Sequence, residues 1–202
     1  MKLVCGVGVN DFKLDGIKSA GTVEHRLWSG MISRCYSDHQ NTTMYRGCSV
    51  SENFKSLKYF HGWVNSQVGF MFKDENGLSW QLDKDILGNG KEYSENFCCF
   101  VPRKLNSVFT YNKTTTLAIP GVTFNTNHGK FYAACCDGKG VAKYIGAYET
   151  KLDAFIAYKE RKEQVVRMYA REYAGLADDR VTETLLAYTV PLPDILAEDI
   201  LT

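Results

Sequence analysis

The sequence has no uninterrupted apolar run near the roughly 18–20 residues that a membrane-spanning helix needs. Residues 1–11 also lack the basic start and long apolar stretch of a secretory signal. The expected setting is therefore the cytoplasm, with no membrane partner. No CxxC occurs, and the seven cysteines are an odd number, with Cys98-Cys99 and Cys135-Cys136 inside apolar, strand-like runs. In a reducing compartment this usage reads as buried small hydrophobes or metal ligands rather than a disulfide framework. A structural zinc would need Cys35, Cys48, Cys98 and Cys99 to converge from distant positions, and none is expected.

What the chain does contain is an uneven charge. Its 202 residues carry a net charge of only +1. Residues 1–100 hold eleven basic and eleven acidic side chains, residues 101–175 hold twelve and six, and residues 176–202 hold one and six. A basic segment followed by an acidic tail is the footprint expected of a polyanion-binding module.

The length allows two small domains. Residues 24–36 place Leu27, Met31 and Cys35 at helical spacing with Trp28 and Ile32 beside them. Residues 51–63 form a second amphipathic segment around Phe54, Leu57, Phe60 and Trp63, and a polar loop, 37–47, lies between the two. Leu78, Trp80 and Leu82 alternate with polar residues, the period of a half-buried strand, and Gly88-Asn89-Gly90 signals a turn. An apolar run at 97–101 ends at Pro102, and 103–109 predicts a short helix.

Residues 113–120 read as a linker. Three short runs follow, 121–125, 130–136 and 141–148, separated by Asn127-His128-Gly129 and Asp137-Gly138-Lys139-Gly140, which suit turns. Thr150, with Asp153 three residues on, can cap a helix reaching about Tyr173, with Leu152, Phe155, Ile156, Val166 and Tyr169 for its buried face. The fold expected is α+β: a strand-loop-strand-helix domain, then a three-stranded antiparallel sheet on one long helix. In residues 176–202, Val181, Leu185 and Leu186 suit the inner face of an amphipathic helix.

From Gly121-Val122 through Gly129-Lys130-Phe131 and Tyr144-Ile145-Gly146 to Ala154, Ala157 and Tyr158, the chain resembles an AP2-type DNA-binding domain. The resemblance implies that residues 121–175 lay their sheet in the major groove of double-stranded DNA. Thr123, Asn125, Lys130, Tyr132, Lys143 and Tyr144 are the candidates for the DNA-facing side, the lysines meeting phosphate and Asn125 a base edge. Arginine is scarce on these strands compared with the family, which implies weaker or less base-specific binding.

Residues 1–112 resemble the phage-encoded HNH-type (His-Me finger) endonucleases. The matching pieces are Trp28-Ser29-Gly30-Met31, Arg34-Cys35-Tyr36, Tyr45-Arg46-Gly47-Cys48, Leu82-Asp83-Lys84-Asp85, Tyr93-Ser94-Glu95, Cys98-Cys99-Phe100-Val101-Pro102 and Leu105-Asn106. The resemblance implies hydrolysis of DNA phosphodiester bonds with a divalent cation, most simply Mg2+, held by Asp83 and Asn106.

Lys84 stands where that family has its general-base histidine. An exposed lysine is neutral roughly one time in two thousand at pH 7, so Lys84 needs strong burial or cationic neighbours to act as a base; protonated, it would instead stabilise the phosphorane charge. His25, His39, His61 and His128 all fall outside the strand-loop-strand-helix segment. Three functions follow as expectations: a homing-type metal-dependent endonuclease, a catalytically inactive DNA-binding regulator, or a factor that binds a host protein.

Overall fold

In a computed structural model, residues 3–38, 45–88, 90–109, 119–139 and 142–197 are described. The protein is α+β and divides into two compact units, one of residues 1–103 with 175–181, the other of residues 104–174 with 182–202. Most of the expected linker, and His39, lie outside the described residues. Among the described residues no helix is long and apolar enough to cross a membrane.

In the first unit, α1 (Val23–Tyr36) starts where the Thr22 hydroxyl accepts the His25 amide at 3.1 Å. Trp28, Met31 and Ile32 form its buried stripe, and the Trp28 indole donates to the Phe54 carbonyl at 2.9 Å. Gly8 lies against this ring: a Cβ there would stand 2.9 Å from it. The single helix expected over 51–63 is split. A 3-10 turn, Asn53–Lys55, is followed by Ser56 in an extended conformation, whose hydroxyl caps α2 (Leu57–Asn65) by accepting the Tyr59 amide. A serine can compete for backbone donors in this way, so it starts a new helix.

Two pairs of short strands complete the unit. β1 (Ser49–Val50) runs parallel to β3 (Glu92–Tyr93), and β2 (Gln81–Asp83) runs antiparallel to β4 (Cys99–Val101). The alternation at 78–82 pairs in two steps: Ser79 forms an antiparallel bridge with Lys73, and the ladder with β4 starts at Gln81. Upstream, the Asp74 carboxylate accepts the amides of Asn76 and Leu78 and holds a turn, leaving Leu78 exposed.

The second unit takes up all but the first residue of α3 (Arg103–Phe109), whose range is the one the sequence predicts. β5 (Val122–Asn125), β6 (Lys130–Cys135) and β7 (Lys143–Tyr148) form an antiparallel sheet in that order, and α4 (Lys151–Glu172) packs on one face. Thr150 caps α4 reciprocally: its hydroxyl accepts the Asp153 amide at 3.0 Å and donates to the Asp153 carboxylate at 2.7 Å.

Val122, Ala133, Cys135, Ala154, Phe155 and Tyr158 make the core between sheet and helix. Gly121, at φ +68°, lies so close to the Tyr158 ring that a Cβ would approach within 2.0 Å, and only glycine meets both demands. Ile156 does not join this face. It is exposed because Phe155 already points at the sheet, and the next helical residue turns about 100° away.

The last elements among the described residues are α5 (Asp179–Ala187) and α6 (Asp194–Ala197). Val181 and Leu185 are buried as expected of an inner stripe, whereas the adjacent Leu186 is exposed.

Candidate nucleic-acid interface and the loop at Asp83

Strand alternation determines which side chains of the sheet are free of α4. Ala133 and Cys135 point into the helix-side core, so Lys130, Tyr132 and Ala134 project from the other face. The register sets Tyr132 opposite both Thr123 and Ala147, Lys130 opposite Asn125, and Ala134 opposite Tyr144. Thr123, Asn125, Lys130, Tyr132 and Tyr144 therefore share one face.

Lys143 does not join them. A bulge at Ala133/Ala134 leaves Ile145 as the extra residue of β7, and Lys143 comes opposite the core-facing Cys135. Its ammonium pairs with the Asp137 carboxylate at 2.8 Å, which holds that carboxyl below its ordinary range.

The shared face is aromatic at its centre. The Tyr132 and Tyr144 rings meet edge to face with centroids 5.5 Å apart, and the Tyr132 hydroxyl shares a hydrogen bond with His128 Nδ1. His128 belongs to the Asn127-His128-Gly129 turn, and no local sequence signal marks its reach to Tyr132. Lys130 pairs with Glu149 at 2.8 Å, a contact that raises the lysine pKa. Asn125 Oδ1 accepts the amides of Asn127 and His128 and so holds the β5–β6 turn. That oxygen is committed locally, so a bidentate contact of Asn125 with adenine would have to break the turn.

In the first unit, β2 and β4 bring Asp83 opposite Cys99. Asp83 is buried, and its Oδ1 accepts the amides of Asp85 at 2.9 Å and Ile86 at 2.8 Å. Burial pushes its carboxyl pKa up, and the neighbouring Asp85 charge adds to the shift against those two amide bonds. Lys84 is only 5% exposed; its ammonium donates to Asp85 Oδ1 at 2.6 Å and to the Gly90 carbonyl at 2.8 Å.

Asn106 lies on α3, half-buried in the second unit, whereas Asp83 belongs to the first. Within its own unit Asp83 is a poor fit to a Mg2+ site: one oxygen is used by the backbone and its sequence neighbour is a cation. Among the described residues no group of three or more His, Cys, Asp or Glu side chains could hold a metal ion. The thiols of Cys98 and Cys99 are buried, which raises their pKa values, that of Cys98 to about 12. His25 and His61 sit on α1 and α2, and His61 Nε2 lies 3.8 Å from Glu24.

No protein-family profile, no curated protein and no solved structure matches the chain.

Proposed function

We propose that the protein binds double-stranded DNA through the face of the β5–β6–β7 sheet that α4 leaves open. The observation that carries this reading is the gathering of Thr123, Asn125, Lys130, Tyr132 and Tyr144 on that face, in the most basic stretch of the chain. A β-sheet fits the width of the major groove, and hydroxyl, amide and ammonium groups are the types that meet phosphate and base edges. Lys130 and Glu149 are both solvent-exposed, so their ion pair is weak and a DNA phosphate can take Glu149's place.

The test is a mobility shift on duplex DNA across a salt series. Lys130→Ala combined with Tyr132→Ala should weaken binding, and the slope of log affinity against log salt should fall by about one for the lost lysine. Unchanged affinity and slope in a folded double variant would overturn the reading.

Cleavage is a second reading, and the observation in its favour is the β2–loop–β4 unit with Asp83 at the strand end. Incubation of supercoiled plasmid with Mg2+ or Mn2+ tests it. Nicking that disappears in Asp83→Asn and Asn106→Ala supports an endonuclease. Binding with no nicking leaves the protein a DNA-binding factor.

A further inference from the structure

Beyond the sheet, the first unit gathers two cations around two aromatic rings. The Arg34 guanidinium lies 5.6 Å from the Tyr45 ring centroid and 5.4 Å from that of Tyr93. The Lys84 ammonium lies 5.7 Å and 5.5 Å from the same two centroids. The four residues come from α1, the segment before β1, the end of β2 and β3, so the fold assembles the group.

Among the described residues, the Lys84 ammonium pairs with the Asp85 carboxylate, which is 51% exposed. Burial raises the Cys35 thiol to about 11 and pushes the Tyr93 phenol up as well, so neither adds a negative charge at neutral pH, and the one other carboxyl that Lys84 is seen to influence, Asp83, is pushed towards its neutral form by burial. Cys48 donates its thiol to the Gly90 carbonyl. Arg34 Nε is buried with no hydrogen-bond partner, and a buried donor left in this state is costly. Two cations, one exposed carboxylate and an unsatisfied guanidinium nitrogen are the features of an anion site.

We propose that Arg34 and Lys84 bind a phosphate group, with the Tyr45 and Tyr93 rings as walls and the Asp85 carboxylate as a built-in competitor for the Lys84 ammonium. Arginine offers the planar fork that matches phosphate, and lysine adds a point charge. Asp85 is exposed enough to swing into solvent and yield its place. The ligand class is a phosphate, whether inorganic, terminal or a phosphodiester of a DNA backbone.

Isothermal titration calorimetry of the full chain with inorganic phosphate, at ionic strength held with sodium chloride, tests the site. One saturable event is expected. Arg34→Gln should weaken it roughly tenfold or more, the scale of a lost charge-assisted bond. Arg34→Lys should recover part of the loss, because it keeps the charge and gives up the fork. Asp85→Asn should tighten binding about threefold, the scale of an exposed ion pair.

A purely structural cation–π role predicts no gain in Asp85→Asn, and that variant alters an exposed side chain, so it keeps the test decisive even where Arg34→Gln fails to fold. No heat above the chloride background, or an unchanged affinity in Asp85→Asn, overturns the proposal. Competition between phosphate and a short DNA duplex would identify a backbone phosphodiester as the source; independent binding would identify a free or terminal phosphate. Lys130→Ala with Tyr132→Ala should leave phosphate binding intact, which separates this site from the sheet.

Discussion

Lys130 Nζ lies 2.8 Å from Glu149 Oε1, so the candidate DNA-binding face carries its own carboxylate against its lysine. A phosphate that takes the lysine must displace Glu149. Glu149→Gln should therefore raise duplex affinity by about twofold to fivefold at low salt, the scale of an exposed pair, with the gain fading as salt screens it. Fluorescence anisotropy at two salt concentrations reads this directly; an affinity that falls on losing Glu149 would count against Lys130 as a DNA contact.

Tyr144 should matter to binding more than to folding. It is 62% exposed and meets Tyr132 edge to face, so truncation removes little buried surface. Tyr144→Ala should lower DNA affinity while changing stability by less than about 1 kcal/mol. Paired anisotropy and urea-denaturation measurements separate the two, and a large stability loss with unchanged affinity would assign Tyr144 to packing.

The parts of this fold legible in the sequence are those specified by neighbours along the chain. Thr150 with Asp153 marks the start of α4, the turn residues divide three strands, and Pro102 precedes α3. The errors arise where one residue redirects the chain. Ser56 chose capping over continuing a helix, and the bulge at Ala133/Ala134 sent Lys143 away from Tyr144. The Arg34–Tyr45–Lys84–Tyr93 group is a tertiary arrangement: its members come from four separate segments of the chain, and no period or spacing connects them.

Glu163 anchors the C-terminal segment of the second unit. Its carboxylate accepts the Val190 amide at 3.1 Å and pairs with Lys159 and Arg167. Burial alone would raise its pKa, but these bonds and charges outweigh it and hold the carboxyl below 4.5. A depressed folded value means stability is present above the unfolded pKa and is lost as pH falls through the folded one. Glu163→Gln should therefore lower the urea midpoint near neutrality, with the difference from the native chain shrinking below about pH 4.5.

Asp83 carries the opposite sign. Its carboxyl is raised by burial, so its ionisation opposes folding: the native state holds the proton more tightly, and stability is greatest below the unfolded value and declines as pH rises through the folded one. Its Oδ1 nevertheless supports two backbone amides. Asp83→Ala removes that acceptor and should cost about 1–3 kcal/mol by leaving the Asp85 and Ile86 amides unmet. Asp83→Asn keeps a carbonyl oxygen in place and removes the buried charge, so its stability relative to the native chain should improve as pH rises from acid to neutral. Denaturation of the three proteins at two pH values distinguishes these roles. If Asp83→Asn is destabilised as much as Asp83→Ala throughout, the charge itself supports the fold, and the turn-holding role assigned to Oδ1 is wrong.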